Sequence, residues 1–249
     1  MDGKLLVLLR PVPNVAACYG CGKAHSAVPI GVRVALGALP ACDQYHDSRV
    51  DRLDRESLIY KPTSYVERLD FATVFPRVAP LEVELGAGDG SFLVEWAALH
   101  RERNFLGVER LLGRLKKIDK KSRRAGLTNV RGLRIEIAYF TEYLLPYESV
   151  SAFHIYFADP WPKVKHRRHR LIQESYSEVL RKALVPGGTV YLRTDHVEYF
   201  EQMRTVFAAN PKFSPAETPA DLAAVKTDFE REFNAQGIPT NYAAYRRIE

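Results

Sequence analysis

The chain has 249 residues but only three cysteines, Cys18, Cys21 and Cys42, all near its beginning. Three thiols do not build a disulfide framework, and they suit a reducing compartment. No apolar run approaches the roughly 18 residues that a membrane span requires. The early stretch Leu5-Leu6-Val7-Leu8-Leu9 is too short for the core of a secretory signal, and no convincing cleavage site follows it. A soluble, cytoplasmic protein with no membrane contact is expected. The sequence also lacks internal repeats, low-complexity tracts, the Lys-Ser/Thr ending of a triphosphate loop, and the GxGxxG spacing of a dinucleotide site.

Charge, by contrast, is abundant and uneven. The chain carries 36 Lys and Arg against 30 Asp and Glu, a net +6. Residues 110–134 contain ten basic side chains and one acid, Asp119. Residues 163–170 contain five basic side chains, two histidines and no acid. The remainder is therefore net acidic. Basic zones on an acidic body favour a polyanionic partner, because neutralising phosphates releases counterions. In the first of these zones Arg110, Arg114, Lys117, Lys121 and Arg124 recur at helical spacing as one stripe, beside an apolar stripe of Leu111, Leu115 and Ile118. Both zones are candidates for RNA phosphate contact.

The organisation changes along the chain. Residues 1–50 show no sustained period and read as an extension or small cysteine-containing appendage. Cys18, Cys21, His25, Cys42 and His46 fit no standard zinc spacing, and no metal is expected there. Residues 51–249 read as one domain in which strands and helices alternate. Strands are expected at Leu81–Leu85, Asn104–Val108, Val130–Ile137, Ser151–Phe157 and Thr189–Arg193, with two more at Phe213 onward and Tyr242–Ile248. Helices are expected at Ser91–His100, 110–125, His169–Ala183 and Val197–Ala209. This alternation implies an α/β fold with a mainly parallel, seven-stranded sheet and helices on both faces. Such sheets bind ligands beyond the carboxyl ends of their strands.

The candidate functional residues follow strands. Gly86, Gly88 and Gly90 permit tight turns and close approach of a ligand. Glu84 and Asp89 make that loop acidic, which suits an ammonium or sulfonium better than a pyrophosphate. Glu109, at the end of the second strand, can accept the hydroxyls of a ribose; a nicotinamide dinucleotide site would place its acid similarly. Glu136 follows the third strand, where a polar side chain could meet an adenine edge. After the fourth comes Asp159-Pro160-Trp161-Pro162-Lys163, in which Pro160 drives Asp159 toward extended backbone. A fixed carboxylate, an aromatic plane and a basic run are what a guanine held by its RNA backbone would need.

Taken together, these pieces resemble the bacterial single-subunit tRNA (guanine-N7-)-methyltransferase family. The matching segments are Glu84–Gly90, Gly107-Val108-Glu109, Asp159–Lys163 with its basic tail, Thr194-Asp195, and Thr227-Asp228-Phe229-Glu230 with Phe233 and Gly237. They cover about residues 60–249. The resemblance implies a Rossmann-like class I fold that uses S-adenosyl-L-methionine and acts on tRNA, forming 7-methylguanosine at position 46 of the variable loop, with no obligate protein partner. It implies cofactor contacts from Glu84, Gly86, Gly88, Glu109, Glu136 and Asp159, with Asp159 also catalytic. It implies substrate contacts from Lys163, Asp195, Thr227, Asp228, Phe229 and Glu230. Glu136-Ile137 departs from the family's usual shorter Asp or Asn followed by Ala.

Overall fold

The computed structural model of the chain describes residues 57–248. The amino-terminal extension and its cysteines lie outside the described residues. Within them, eight strands form one sheet: β1 (Ile59–Tyr60), β2 (Leu81–Leu85), β3 (Asn104–Val108), β4 (Val130–Leu133), β5 (Val150–Tyr156), β6 (Leu184–Thr194), β7 (Phe213–Ala216) and β8 (Asn241–Arg247). Their spatial order is β1-β4-β3-β2-β5-β6-β8-β7. Pairings from β1 to β6 are parallel, and β8 runs antiparallel to both β6 and β7. Consecutive strands leave β2 in one direction toward β3 and β4, and β5 lies on its other side. The order therefore reverses at β2 and β5, whose carboxyl ends are the expected place for a ligand.

The helices are α1 (Phe71–Val74), α2 (Ser91–Leu99), α3 (Leu112–Arg124), α4 (Ile137–Tyr139), α5 (Glu174–Ala183), α6 (Val197–Ala209), α7 (Ala220–Ala224) and α8 (Asp228–Ala235). A π turn at Phe140–Leu144 continues α4, and a 3-10 turn spans Val164–His169. Among the described residues no helix is long and apolar enough to cross a membrane.

Several boundaries differ from the sequence reading, each for a local reason. The sheet gains β1, two residues beside β4. The third strand ends at Leu133 rather than Ile137, because the Glu136 carboxylate accepts the N–H groups of Ala138 and Tyr139 and so starts α4. Helix α5 begins at Glu174, since residues 164–169 wind into the 3-10 turn instead. The fifth of the expected strands starts at Leu184 rather than Thr189, so that Gly187 and Gly188 lie inside the long β6. Leu111 does not join the buried stripe of α3: it is exposed, while Leu115 and Ile118 are buried.

Strand β2 alternates Leu/Val with Glu, the pattern of a half-exposed strand. Both of its faces are nonetheless covered, and all five residues are buried. Leu81, Val83 and Leu85 join one core with Phe153, Ile155 and Leu192. Glu82 and Glu84 point to the other side, under a second core built around Phe92, Trp96, Leu115 and Tyr156. Two buried carboxylates at the centre of a sheet require partners, and they find very different ones.

Candidate functional site

Glu82 is fully engaged. It accepts from Trp96 Nε1 at 2.9 Å, from His154 Nε2 at 2.8 Å, and from Arg103. Burial alone would raise its pKa, but these donors outweigh it and hold the carboxyl down at about 2. A carboxylate only accepts, so His154 carries its proton on Nε2 and accepts Tyr156 O–H at Nδ1, 2.8 Å away. Burial favours this neutral ring.

Glu84, two residues on, has no such company. Its side chain is buried, and Oε2 has no hydrogen-bond partner among the described residues. Burial pushes its pKa up, the charges of Asp89 and Glu109 add to that, and the nearby Arg193 guanidinium opposes it. Glu84 lies at the base of a cleft of about 760 Å³, within the size range of small-molecule sites. Gly86, Ala87, Gly88 and Asp89 form one rim. Gly86 and Gly88 have φ of 85° and 54°, in the left-handed region that favours glycine. A Cβ on Gly88 would meet nothing within 4 Å, leaving that side open to a ligand. Lys121 holds Asp89 at 2.9 Å and, against the effect of burial, keeps its carboxyl below the usual range.

Glu109 lines the cleft beside this loop. Its Oε1 accepts from Leu111 N at 2.8 Å, and Arg114 approaches Oε2 at 3.5 Å. Glu136 and Ile137 lie on the same wall; the Glu136 carboxylate serves as the cap of α4 described above. Arg114 and Lys121 of the basic stripe thus turn toward cleft acids.

Asp159, Pro160 and Trp161 line the far end. Asp159 Oδ1 accepts from Trp161 N at 3.2 Å. Phe157 and Trp161 adopt left-handed φ of 51° and 41°. For side chains of this size that conformation costs on the order of 1–3 kcal/mol each, and the surroundings must hold it. Arg170, buried in the basic tail, does part of this: its Nε donates to Pro160 O at 2.7 Å, and its Nη1 donates to both Gln202 and Glu198 of α6. Trp161 also packs against His166 and His169.

The start of α8 lines the cleft as well, and there Asp228 N donates to Ser91 Oγ at 3.0 Å, beside the glycine loop. Thr227, Asp228 and Phe229 line the cleft, and Phe229 is half exposed. Thr227 caps α8 by accepting from Glu230 N at 3.0 Å. Glu230 itself is fully buried behind the wall, where it binds Arg193 and the Tyr242 hydroxyl. Lys163 and Asp195 are not among the residues that line the cleft. The cleft thus gathers the acids Glu84, Glu109 and Asp159, but not Asp195. Sequence reasoning also missed lining residues Ser91, Tyr156, His169 and Glu232. Among the described residues no cluster of His, Cys, Asp and Glu could hold a metal ion.

These residues fit a cationic nucleoside. An unpaired buried carboxylate, an open glycine rim and a second acid after the next strand can receive an ammonium, a backbone-hugging chain and a ribose in turn. Residues 78–242 match a family model described as "Putative methyltransferase". The tRNA (guanine-N(7)-)-methyltransferase of Halorhodospira halophila is 34% identical over 183 residues, covering 72% of this chain and 79% of that protein. The enzyme of the same name from Thiobacillus denitrificans is 38% identical over 208 residues, covering 84% and 80%. Among solved structures, the 16S rRNA methyltransferase KamB superimposes with a TM-score of 0.53 at 17% identity, covering 77% of this chain and 97% of that one. At that identity the likeness speaks to fold, and it is that of a class I methyltransferase.

Proposed function

The chain belongs to the tRNA (guanine-N7-)-methyltransferase family, and from that premise we propose that it methylates N7 of a guanosine in tRNA, at position 46 of the variable loop, in the cytoplasm. The activity is assigned to the domain of residues 51–249. The observation that carries this reading is the buried Glu84 carboxyl, its Oε2 without a partner among the described residues, in a cleft that Asp159 and Trp161 also line.

S-adenosyl-L-methionine, when bound, supplies an electrophilic methyl group on a sulfonium. Glu84, Gly86 and Gly88 would hold its amino-acid end, Glu109 its ribose, and the Glu136 region its adenine. Guanine N7 has a free lone pair and no proton, so no side chain need act as a general base. Transfer of that methyl to N7 would leave the electron pair of the broken S–C bond on sulfur and the purine cationic. The task of the chain is to align the two partners and exclude water. Asp159 stands where a fixed carboxylate would favour the developing positive charge. Thr227, Asp228 and Phe229 face the purine, Glu230 anchors their segment, and Lys163 and Asp195 serve tRNA beyond the reacting base. One chain supplies every residue named, so the reading needs no partner subunit.

The test is incubation with methyl-labelled S-adenosylmethionine and unmodified tRNA, followed by borohydride reduction and aniline cleavage. The label should enter tRNA, and the strand should break at nucleotide 46. In the same assay Asp159→Ala should lower turnover by about a hundredfold or more while cofactor affinity changes little. Label in tRNA without cleavage would refute N7 as the acceptor.

A further inference from the structure

We propose that Arg193 is a positioning residue that holds both walls of the substrate end of the cleft in register; this rests on the reading of that end as the guanosine site. Arg193 lies in β6, and its side chain is 1% exposed. Its guanidinium carbon sits 4.2 Å from the Tyr156 ring centroid, 5.3 Å from that of Phe92 and 5.4 Å from that of Tyr242. Three aromatic faces enclose a cation.

The side chain grips one wall. Its terminal nitrogens donate to Val225 O at 2.7 Å and Leu222 O at 2.5 Å, and one of them pairs with Glu230 Oε2 at 3.1 Å. These acceptors bracket the link between α7 and α8, and that link delivers Thr227, Asp228 and Phe229 to the cleft. Without Arg193 two buried carbonyls would lose this donor, and the buried Glu230 carboxylate would lose its cation and keep only the Tyr242 hydroxyl.

The backbone of the same residue grips the other wall. Arg193 O accepts from Phe157 N at 2.8 Å. Phe157 is the left-handed residue that turns the chain out of β5 toward Asp159 and Trp161. The rings of Phe157 and Phe233 then meet at 5.9 Å, joining that turn to α8 directly. One residue thus ties the Asp159 loop and the Phe229 segment to a common point. The fork spreads its donors over two nitrogens, one on Val225 O and Glu230 and the other on Leu222 O; a single ammonium nitrogen keeps the charge but not that spread.

The informative variant is Arg193→Lys, which keeps a cation near Glu84 and should spare the donor site. We expect kcat/KM for tRNA to fall about a hundredfold, the affinity for S-adenosylhomocysteine to stay within about threefold, and amide exchange of residues 222–230 and 157–161 to accelerate. Arg193→Met/Glu230→Leu removes both charges together, so that no uncompensated ion is buried, and should show the same tRNA defect if the lysine variant does not fold. Arg247→Lys is the control. Arg247 is a buried guanidinium at the end of β8, bound to Leu184 O at the start of β6 and to Glu148. It should lower stability while leaving tRNA kinetics per folded molecule unchanged. The proposal is overturned if donor affinity and tRNA turnover fall in the same proportion in Arg193→Lys, or if tRNA kinetics and exchange match the wild type. Failure of the wild-type enzyme to methylate tRNA would instead sink the reading of the cleft, and exchange of the two segments would still decide the role of Arg193.

Discussion

Glu84 illustrates how one side chain can be both a liability to the fold and an asset to the site. Burial and two neighbouring acids raise its pKa, while Arg193 opposes them. The folded protein therefore holds this proton more tightly than the unfolded chain, whose carboxyl titrates near 4.5. It follows that stability falls as pH rises from about 4.5 through the raised folded value, because the unfolded state gives up its proton first. An ammonium arriving beside Oε2 reverses this by stabilising the anion. Within that same pH window, binding of S-adenosylhomocysteine should release a fraction of a proton, which calorimetry in buffers of different ionisation enthalpy would detect. Glu84→Gln should abolish the release and weaken binding by about ten- to a hundredfold, the worth of a charged hydrogen bond. Its melting temperature should hold steady or rise, because a buried unpaired carboxyl is gone. Proton uptake on binding, or wild-type affinity in the variant, would remove Glu84 from the donor site.

At the scale of elements, the site depends on how closely α2 and its glycine loop approach β3. Gly107 sits at the contact: a Cβ there would lie 2.6 Å from Leu93 Cδ2 and 3.0 Å from Ala87 Cβ. Leu93 belongs to α2 and Ala87 to the loop itself, so Gly107→Ala must displace both. Overpacking of this kind costs about 1–3 kcal/mol, which a urea melt would register, and donor affinity should fall with it. Unchanged affinity would mean that the loop adjusts independently of β3. The same elements show what the sequence reveals and what it hides. Strands Leu81–Leu85 and Asn104–Val108 and helix Val197–Ala209 were readable to the residue, because long apolar periods end there at Gly, Glu or Asn. Strand β1 was not, since two residues carry no period. The end of β4 was misread because the side chain of Glu136, rather than a breaker, starts the next helix. That Glu84, Glu109 and Asp159 line one cleft was legible because each lies at or just past the carboxyl end of a strand, and the topology gathers strand ends. Arg193 was invisible: in sequence it is one alternating polar residue of a strand. Only the pairing of β6 with β8, and the cover of α7 and α8, make it a buried clamp.

For the molecule as a whole, the question is which of its many cations meet RNA. The structure divides the two basic zones. Arg114 and Lys121 are drawn to cleft acids, Arg123 pairs with Asp119, and Arg167 pairs with Glu198 at 2.7 Å. Arg110, Lys117 and Arg124 of the stripe, with Lys163, Lys165 and Arg168 of the tail, are exposed and have no ion pair with another described residue. If these six meet phosphates, the logarithm of the tRNA association constant should fall with the logarithm of salt at a slope of roughly −4 to −5. The division makes a sharper test than the slope itself. Lys165→Gln/Arg168→Gln should flatten the dependence by about 2, one for each lost phosphate contact. Arg167→Gln removes one charge rather than two, and its guanidinium already pairs with Glu198, so its effect per charge should be smaller. Equal flattening per charge would mean that tRNA displaces Glu198. A slope untouched by Lys165→Gln/Arg168→Gln would move the RNA path off the tail and onto the stripe, where the corresponding variants of Arg110, just before α3, and of Lys117 and Arg124 within it would then have to carry the whole dependence.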